Sequence, residues 1–91
     1  MAEIQIQAGP EDVKGRYSNF MQVSHTKEEF VIDFLNVFPP HGTLQARIIT
    51  SPGHCKRIIA ALQDNLGKYE AQFGKVEEAK GVAEGEIGFK T

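Results

Sequence analysis

The feature that most constrains this chain is a regular stripe of apolar side chains in its second half. Six of them recur at steps of 4, 3, 4, 3 and 4 residues, and we call them the helix stripe: Cys55, Ile59, Leu62, Leu66, Tyr69 and Phe73. Because an α-helix turns once every 3.6 residues, this spacing places all six on one narrow face of a helix. The sequence therefore predicts a helix from Ser51 to Phe73, and Gly74 is a usual helix stop.

The start of this helix, "TSPGHCKR", concentrates residues that could also form a site. Ser51 is a favourable N-cap and Pro52 a favourable first helical residue. Free N–H groups at a helix start attract anions, and basic side chains follow at once. We expect either a capped start that binds only water or an anion site formed by Ser51, Gly53, His54, Lys56 and Arg57.

Metal binding and catalysis find little support in the sequence. Adjacent helix residues point about 100° apart, so His54 and Cys55 are poorly placed to bind one ion, and the chain has no second cysteine. It also lacks a glycine-rich phosphate loop or another catalytic signature. We expect no metal, no cofactor and no enzymatic activity, with Cys55 as a small buried apolar side chain.

Three strands are predicted before the helix. Residues 16–25 alternate in polarity, with Tyr17, Met21 and Val23 expected to face the core. Residues 29–37 are dense in aromatic and β-branched side chains, which favours a strand. Residues 44–50 alternate as a third strand, with Leu44, Ala46, Ile48 and Thr50 on one side.

The second of these segments also allows a helix. Thr26 and Glu29 have the spacing of a helix capping box, and Phe30, Phe34 and Phe38 recur at helical intervals. We favour the strand, because the segment is short and follows a strand and a turn. The predicted fold class is α+β, a three-stranded antiparallel meander followed by one long C-terminal helix.

The chain is one small domain with less regular ends. Residues 1–15 are expected to form a loose arm, residues 16–74 the domain, and residues 75–91 a mobile acidic tail with glycines. A short strand at residues 86–89 is a further expectation. The start lacks the pattern of a signal peptide and a lone cysteine forms no internal disulfide, so we expect a cytoplasmic protein.

The chain is not expected to enter a membrane. Its longest apolar-rich stretch, Phe30 to Phe38, is interrupted by Asp33 and Asn36. It is also far shorter than the ~20 residues that a membrane helix requires.

Both faces of the second predicted strand are apolar, with Phe30, Ile32 and Phe34 on one side and Val31 and Leu35 on the other. One helix can cover only one face of the sheet, so something else is expected to cover the second. In a domain this small, another copy of the chain is the best candidate, as a twofold homodimer. Phe30 and Phe34, with the helix stripe, are the expected core or oligomer residues, and another protein is a further potential partner.

A rival function is the binding of single-stranded nucleic acid on the sheet. Arg16, Phe20, Lys27 and Arg47 could form such a face, since bases stack on aromatic side chains and phosphates attract basic ones. The net charge of −2 and the acidic tail argue against it. The two functions are distinguished by whether Arg16, Lys27 and Arg47 converge on one exposed face or pair with acidic residues.

The order of three segments, "RYSNFMQVSHTKEEFVIDF", "ARIITSPGHCKRIIAAL" and "NLGKYEAQFG", resembles an uncharacterised family of short bacterial and archaeal proteins that is classed as a domain of unknown function. The resemblance covers residues 16–74 and leaves both ends outside. It implies a small sheet with one long helix and a strand at Phe30 to Phe34, and it implies no activity. The residues that carry it are Tyr17, Asn19, Val23, Ser24, Glu29, Phe30, Asp33, Phe34, Arg47, Ser51, Pro52, Lys56, Leu62, Asn65, Tyr69, Glu70 and Gly74.

Overall fold

The computed structural model describes residues 3–80, in which three strands precede one helix. They are β1 (Phe20–His25), β2 (Phe30–Phe38), β3 (His41–Thr50) and α1 (Pro52–Phe73). The strands pair antiparallel in the order β1-β2-β3. The predicted meander followed by one long helix is therefore confirmed. The short strand predicted at residues 86–89 lies outside the described residues.

The connection between β1 and β2 is built around Thr26. Its side-chain oxygen accepts hydrogen bonds from the backbone N–H groups of Glu28 and Glu29, both at 3.2 Å. The N–H of Thr26 donates to the Glu29 carbonyl at 2.9 Å. Threonine oxygens that cap helices also close turns, and here the Thr26–Glu29 spacing closes a hairpin. The helical alternative for the following residues is therefore wrong.

The register of the sheet sorts its side chains onto two faces. One, which we call the Ile32 face, carries Met21, Val23, Phe30, Ile32, Phe34, Ala46 and Ile48. The other, which we call the Asp33 face, carries Phe20, Gln22, Val31, Asp33, Leu35, Leu44, Arg47 and Ile49. The predicted alternation of β2 is confirmed.

The predicted alternation of β3 fails at one residue. Ala46 lies opposite Phe34 and Leu44 lies opposite Leu35, with a register shift between the two pairs. Gln45 is therefore an extra residue that faces no partner on β2. Since an inserted residue reverses the side-chain alternation beyond it, Leu44 lies on the Asp33 face and not with Ala46.

The buried core is very small. Among the described residues, Ile32 and Leu35 are the buried hydrophobic side chains, at 7 % and 5 % exposure. The expectation that Tyr17, Met21 and Val23 face the core is wrong, because they are 73 %, 51 % and 47 % exposed. The reason is that Tyr17 precedes β1 and that β1 is an edge strand, which within residues 3–80 packs substantially against β2 alone.

The helix does not cover the sheet. It makes almost no contact with any strand, and none of its residues is buried. The expectation that α1 covers one face is therefore wrong. Ser51 alone connects β3 to α1, which is shorter than the usual connection and gives the chain little length in which to turn back over the strands.

Candidate functional site

The helix stripe forms an exposed apolar surface along α1. Five of its six side chains are between 50 % and 66 % exposed, namely Ile59, Leu62, Leu66, Tyr69 and Phe73. Cys55 is half-buried, as is Ile58 beside it, so the stripe is covered most at its start. Cys55 is thus less buried than predicted. An apolar surface of this length is typical of a binding surface.

Two aromatic rings end the stripe. The centroids of Tyr69 and Phe73 lie 4.9 Å apart with an interplanar angle of 45°. Directly beyond them, Gly74 adopts a φ of 99° and its N–H donates to the Glu70 carbonyl at 2.9 Å. Only glycine adopts this conformation without strain, so the predicted helix stop is confirmed.

The sheet offers a second apolar surface on the Ile32 face. Phe30 and Phe34 are half-buried there, and the ring of Phe30 stacks on His25 with centroids 5.2 Å apart. Ile48, on the adjacent strand, is 48 % exposed. The expected core or oligomer residues thus lie on two surfaces, the helix stripe on α1 and the Ile32 face on the sheet.

The predicted helix start is confirmed in its geometry. The Ser51 side-chain oxygen accepts a hydrogen bond from the His54 N–H at 3.2 Å, and the Ser51 carbonyl accepts one from the Cys55 N–H at 2.9 Å. Pro52 has no N–H. Within residues 3–80, the Gly53 N–H is therefore the first amide of the helix that could donate a hydrogen bond to an anion. Anion binding here stays a prediction.

The side chains that surround this start are exposed. Lys56 and Arg57 follow in the first turns of α1, and both are open to solvent with His54 and Gly53. The first turn carries no acidic side chain. The two cations could attract an anion, but one free amide offers it little directional bonding.

The four residues predicted to bind nucleic acid do not form one cluster. Phe20 and Arg47 share the Asp33 face but lie on the two opposite edge strands. Arg16 precedes β1, whereas Lys27 lies in the turn that follows it, so the two cations lie beyond opposite ends of that strand. The arrangement therefore offers no continuous basic track.

Arg47 is engaged by an acidic partner. Asp33 Oδ1 accepts a hydrogen bond from Arg47 Nε at 2.7 Å, and Asp33 Oδ2 accepts one from Arg47 Nη2 at 2.9 Å. These hydrogen bonds hold the pKa of Asp33 below its usual value, although burial of the carboxylate opposes the shift. The carboxylate in turn raises the pKa of Arg47. The sequence signal for this pair was an acidic residue inside an apolar strand, which requires a partner when buried.

A second polar contact that the sequence did not predict joins Asn19 to Val37. The Asn19 side chain donates to the Val37 carbonyl at 3.0 Å and accepts from the Val37 N–H at 2.8 Å. The amide group thus bonds β2 as a strand residue would, just before β1 begins. No feature of the sequence alone indicates this contact, because asparagine is common in turns.

Neither a metal cluster nor a membrane helix is found in the described part of the chain. No group of three or more His, Cys, Asp or Glu side chains is placed to hold a metal ion in residues 3–80. In the same range no helix is long and apolar enough to cross a membrane.

Comparison with known proteins gives a family and no activity. No curated protein and no solved structure matches the chain. One family model matches residues 1–78, so the match includes the first fifteen residues, which the sequence resemblance had left outside. The order of elements that carried the resemblance is the order seen in the structure. The chain belongs to the family described as Protein of unknown function (DUF3467).

Proposed function

We propose that this protein is a non-enzymatic interaction protein that acts as a homo-oligomer, with a homodimer as the favoured state. The observation that carries the proposal is the exposed helix stripe, which runs along a helix that makes almost no contact with the sheet. A second copy would bury this surface. The assembled protein would then act on its partners through its outer surface or through the acidic tail.

The energetics of the single chain support assembly. Two buried hydrophobic side chains, Ile32 and Leu35, provide little stabilisation for a described segment of 78 residues. Burial of apolar surface contributes roughly 25 cal/mol per Å² removed from water. The half-exposed side chains of the helix stripe contribute the largest exposed apolar surface on the helix. Pairing of two copies would bury this surface.

The absence of catalysis is part of the proposal. The carboxylate of Asp33 is held by Arg47 and so is not available as a base. The cytoplasm is the proposed compartment. Its support is that the sequence contains one cysteine, whereas small secreted domains are usually rich in disulfides.

The alternative function, binding of single-stranded nucleic acid, receives less support from the geometry. Of its three cations, Arg47 is paired with Asp33, and Arg16 and Lys27 lie beyond opposite ends of β1. A stripe of apolar side chains on the helix would also be unexplained by that function. We therefore retain the interaction protein as the conclusion.

Sedimentation equilibrium of the full chain at micromolar concentration tests the proposal. We expect a dimer mass for the natural chain and a monomer mass for Leu62→Gln with Leu66→Gln. Ala60→Gln, an exposed position outside the stripe, is the matched control and should remain dimeric. A compact monomer for the natural chain would overturn the proposal, and a dimer that survives both stripe changes would remove the stripe from it.

Fluorescence anisotropy with a labelled single-stranded oligonucleotide tests the alternative. We expect no change in anisotropy at low salt. A signal that weakens steeply with added salt would instead favour nucleic-acid binding, because displacement of counterions from phosphates makes such binding salt-dependent.

A further inference from the structure

The helix stripe has the pattern of a coiled-coil seam. In the usual heptad letters, its members occupy alternating a and d positions, with Ile59, Leu66 and Phe73 at a and with Cys55, Leu62 and Tyr69 at d. The residues that flank the seam on one side, at e, are Lys56, Gln63 and Glu70. Those that flank it on the other side, at g, are Ile58, Asn65 and Gln72. These flanking residues determine which orientation of two helices is favourable.

A parallel pair of helices would gain no charge complementarity. Each seam residue would face its own counterpart, so the two Phe73 rings would meet at one end of the seam and the two Cys55 side chains at the other. Lys56 and Glu70 would be separated by fourteen positions, or about 21 Å along the helix axis. Neither would lie near an opposite charge on the second helix.

An antiparallel pair combines the same residues differently. The a and d positions then face each other, which matches large with small side chains at the ends of the seam. In the register that pairs every member of the stripe, the facing residues are Cys55 with Phe73, Ile59 with Tyr69, and Leu62 with Leu66. All six seam residues of each helix are buried by this register, and none is left over.

The same register brings opposite charges together. Lys56 at e lies beside Glu70 of the second copy, and the twofold axis repeats this pair. The side chain of Lys56 makes no ion pair within the described residues. The other helix ion pair, Asp64 with Lys68 at 3.0 Å, lies within one chain and away from the seam.

We infer that two copies of this chain pair through α1 as antiparallel helices, with Ile59 facing Tyr69 and Lys56 facing Glu70 of the second copy. This inference rests on the proposed homo-oligomer and adds its orientation and register. The partner's helix end, at Phe73, then lies beside the start of α1, where Cys55 and Ile58 are half-buried. A second copy thereby buries further apolar surface at the base of each helix.

Exchange of the two charges tests the register. Lys56→Glu or Glu70→Lys alone places like charges together twice in each dimer, and we expect the dimer dissociation constant to rise roughly tenfold. The double exchange should restore it to within about twofold of the natural value. Both single changes favour the helix dipole, but Glu70→Lys also removes the hydrogen bond that Glu70 Oε2 accepts from the Val76 N–H at 2.8 Å. Lys56→Glu and the double exchange therefore carry the test, because Lys56 makes no ion pair within residues 3–80.

Arg57→Glu is the matched control for Lys56→Glu. It makes the same charge change at the adjacent residue, which lies at an f position on the outer side of the helix. We expect its dissociation constant to stay within about twofold of the natural one. Equal weakening by Arg57→Glu and Lys56→Glu, or absence of rescue in the double exchange, would contradict the register.

Disulfide trapping tests the orientation independently. In a Cys55→Ser background, Ile59→Cys and Tyr69→Cys chains of different mass are mixed and oxidised. We expect the mixed dimer to be the crosslinked product, because Ile59 and Tyr69 face each other across the antiparallel pair. A crosslinked dimer formed by Ile59→Cys alone would show a parallel pair and overturn the inference.

The two experiments separate failure of the orientation from failure of the proposed function. A natural chain that sediments as a dimer, but crosslinks through Ile59→Cys alone, keeps the homo-oligomer and rejects the antiparallel pair. A natural chain that sediments as a monomer rejects both.

Discussion

Asp33 and Arg47 lie directly opposite each other on β2 and β3, and the carboxylate accepts two hydrogen bonds from the guanidinium at 2.7 Å and 2.9 Å. Asp33 is only 6 % exposed at the centre of the sheet. A shift of the register by one residue would place this buried carboxylate away from its partner. Because an unpaired buried charge is costly, the pair fixes the register of the two strands.

This pair predicts how stability depends on pH. Arg47 lowers the pKa of Asp33 from the ordinary value of 3.8, so the folded state holds the carboxylate ionised more strongly than the unfolded state does. The resulting stabilisation is fully present above the unfolded pKa and is lost as the pH falls through the lower, folded pKa. We expect the urea midpoint of the natural chain to fall as the pH is lowered below about 4.

Asp33→Asn should remove this part of the acid dependence and lower the midpoint near neutral pH. Asp64→Asn is the control, since Asp64 pairs with Lys68 on the exposed surface of α1. It should change the midpoint little at either pH. Parallel acid profiles for the natural chain and Asp33→Asn would contradict the role given to the pair.

The small core predicts a sharp difference between two isoleucines that face each other across the sheet. Ile32 and Ile48 are directly opposite on the Ile32 face, but their exposures are 7 % and 48 %. We expect Ile32→Ala to lower the free energy of unfolding by roughly 2–4 kcal/mol, because it leaves a cavity at the centre of the sheet.

Ile48→Ala is the matched control, with the same atoms removed from the edge strand. It should cost about 1 kcal/mol or less in urea denaturation, since much of its side chain is already in water. Equal losses for the two variants would show that something covers Ile48 in solution.

Much of the fold could be predicted from local patterns. The spacing of the helix stripe determined α1, and the serine, proline and glycine at its ends determined where it begins and stops. The β-branched and aromatic density of residues 30–38 favoured a strand, and the structure has one. These features depend on residues close in sequence, which is why a single sequence is sufficient to predict them.

The relations between elements could not be predicted in the same way. Gln45 reverses the alternation of β3, but nothing at that residue distinguishes a bulge from an ordinary strand position. An apolar stripe indicates that α1 is covered by something, but not by what. The exposure of Met21 and Val23 could not be predicted for the same reason, because their alternation is that of a covered strand.

The cap at Ser51 gives a prediction about α1 alone. Its side-chain oxygen bonds the His54 N–H at 3.2 Å, so Ser51→Ala leaves that amide without its acceptor. We expect a loss of about 1 kcal/mol in the free energy of unfolding, measured by the helical circular dichroism signal in urea. Ser24→Ala, at an exposed position of β1, should change it by less than about 0.5 kcal/mol, and an equal loss in both would contradict the capping role.

The Asn19 amide predicts a local effect at the far end of β2. It donates to the Val37 carbonyl and accepts from the Val37 N–H at 2.8 Å, so Asn19→Ala removes both bonds at once. We expect hydrogen exchange at the Val37 amide to accelerate on the order of tenfold, because a single hydrogen bond contributes about 1 kcal/mol and local opening controls the exchange. Asn65→Ala, which removes a bond from the Asn65 side chain to the Ala61 carbonyl on α1, should leave exchange at Val37 unchanged. Unaltered exchange at Val37 in Asn19→Ala would mean that the Asn19 amide does not hold β2 in solution.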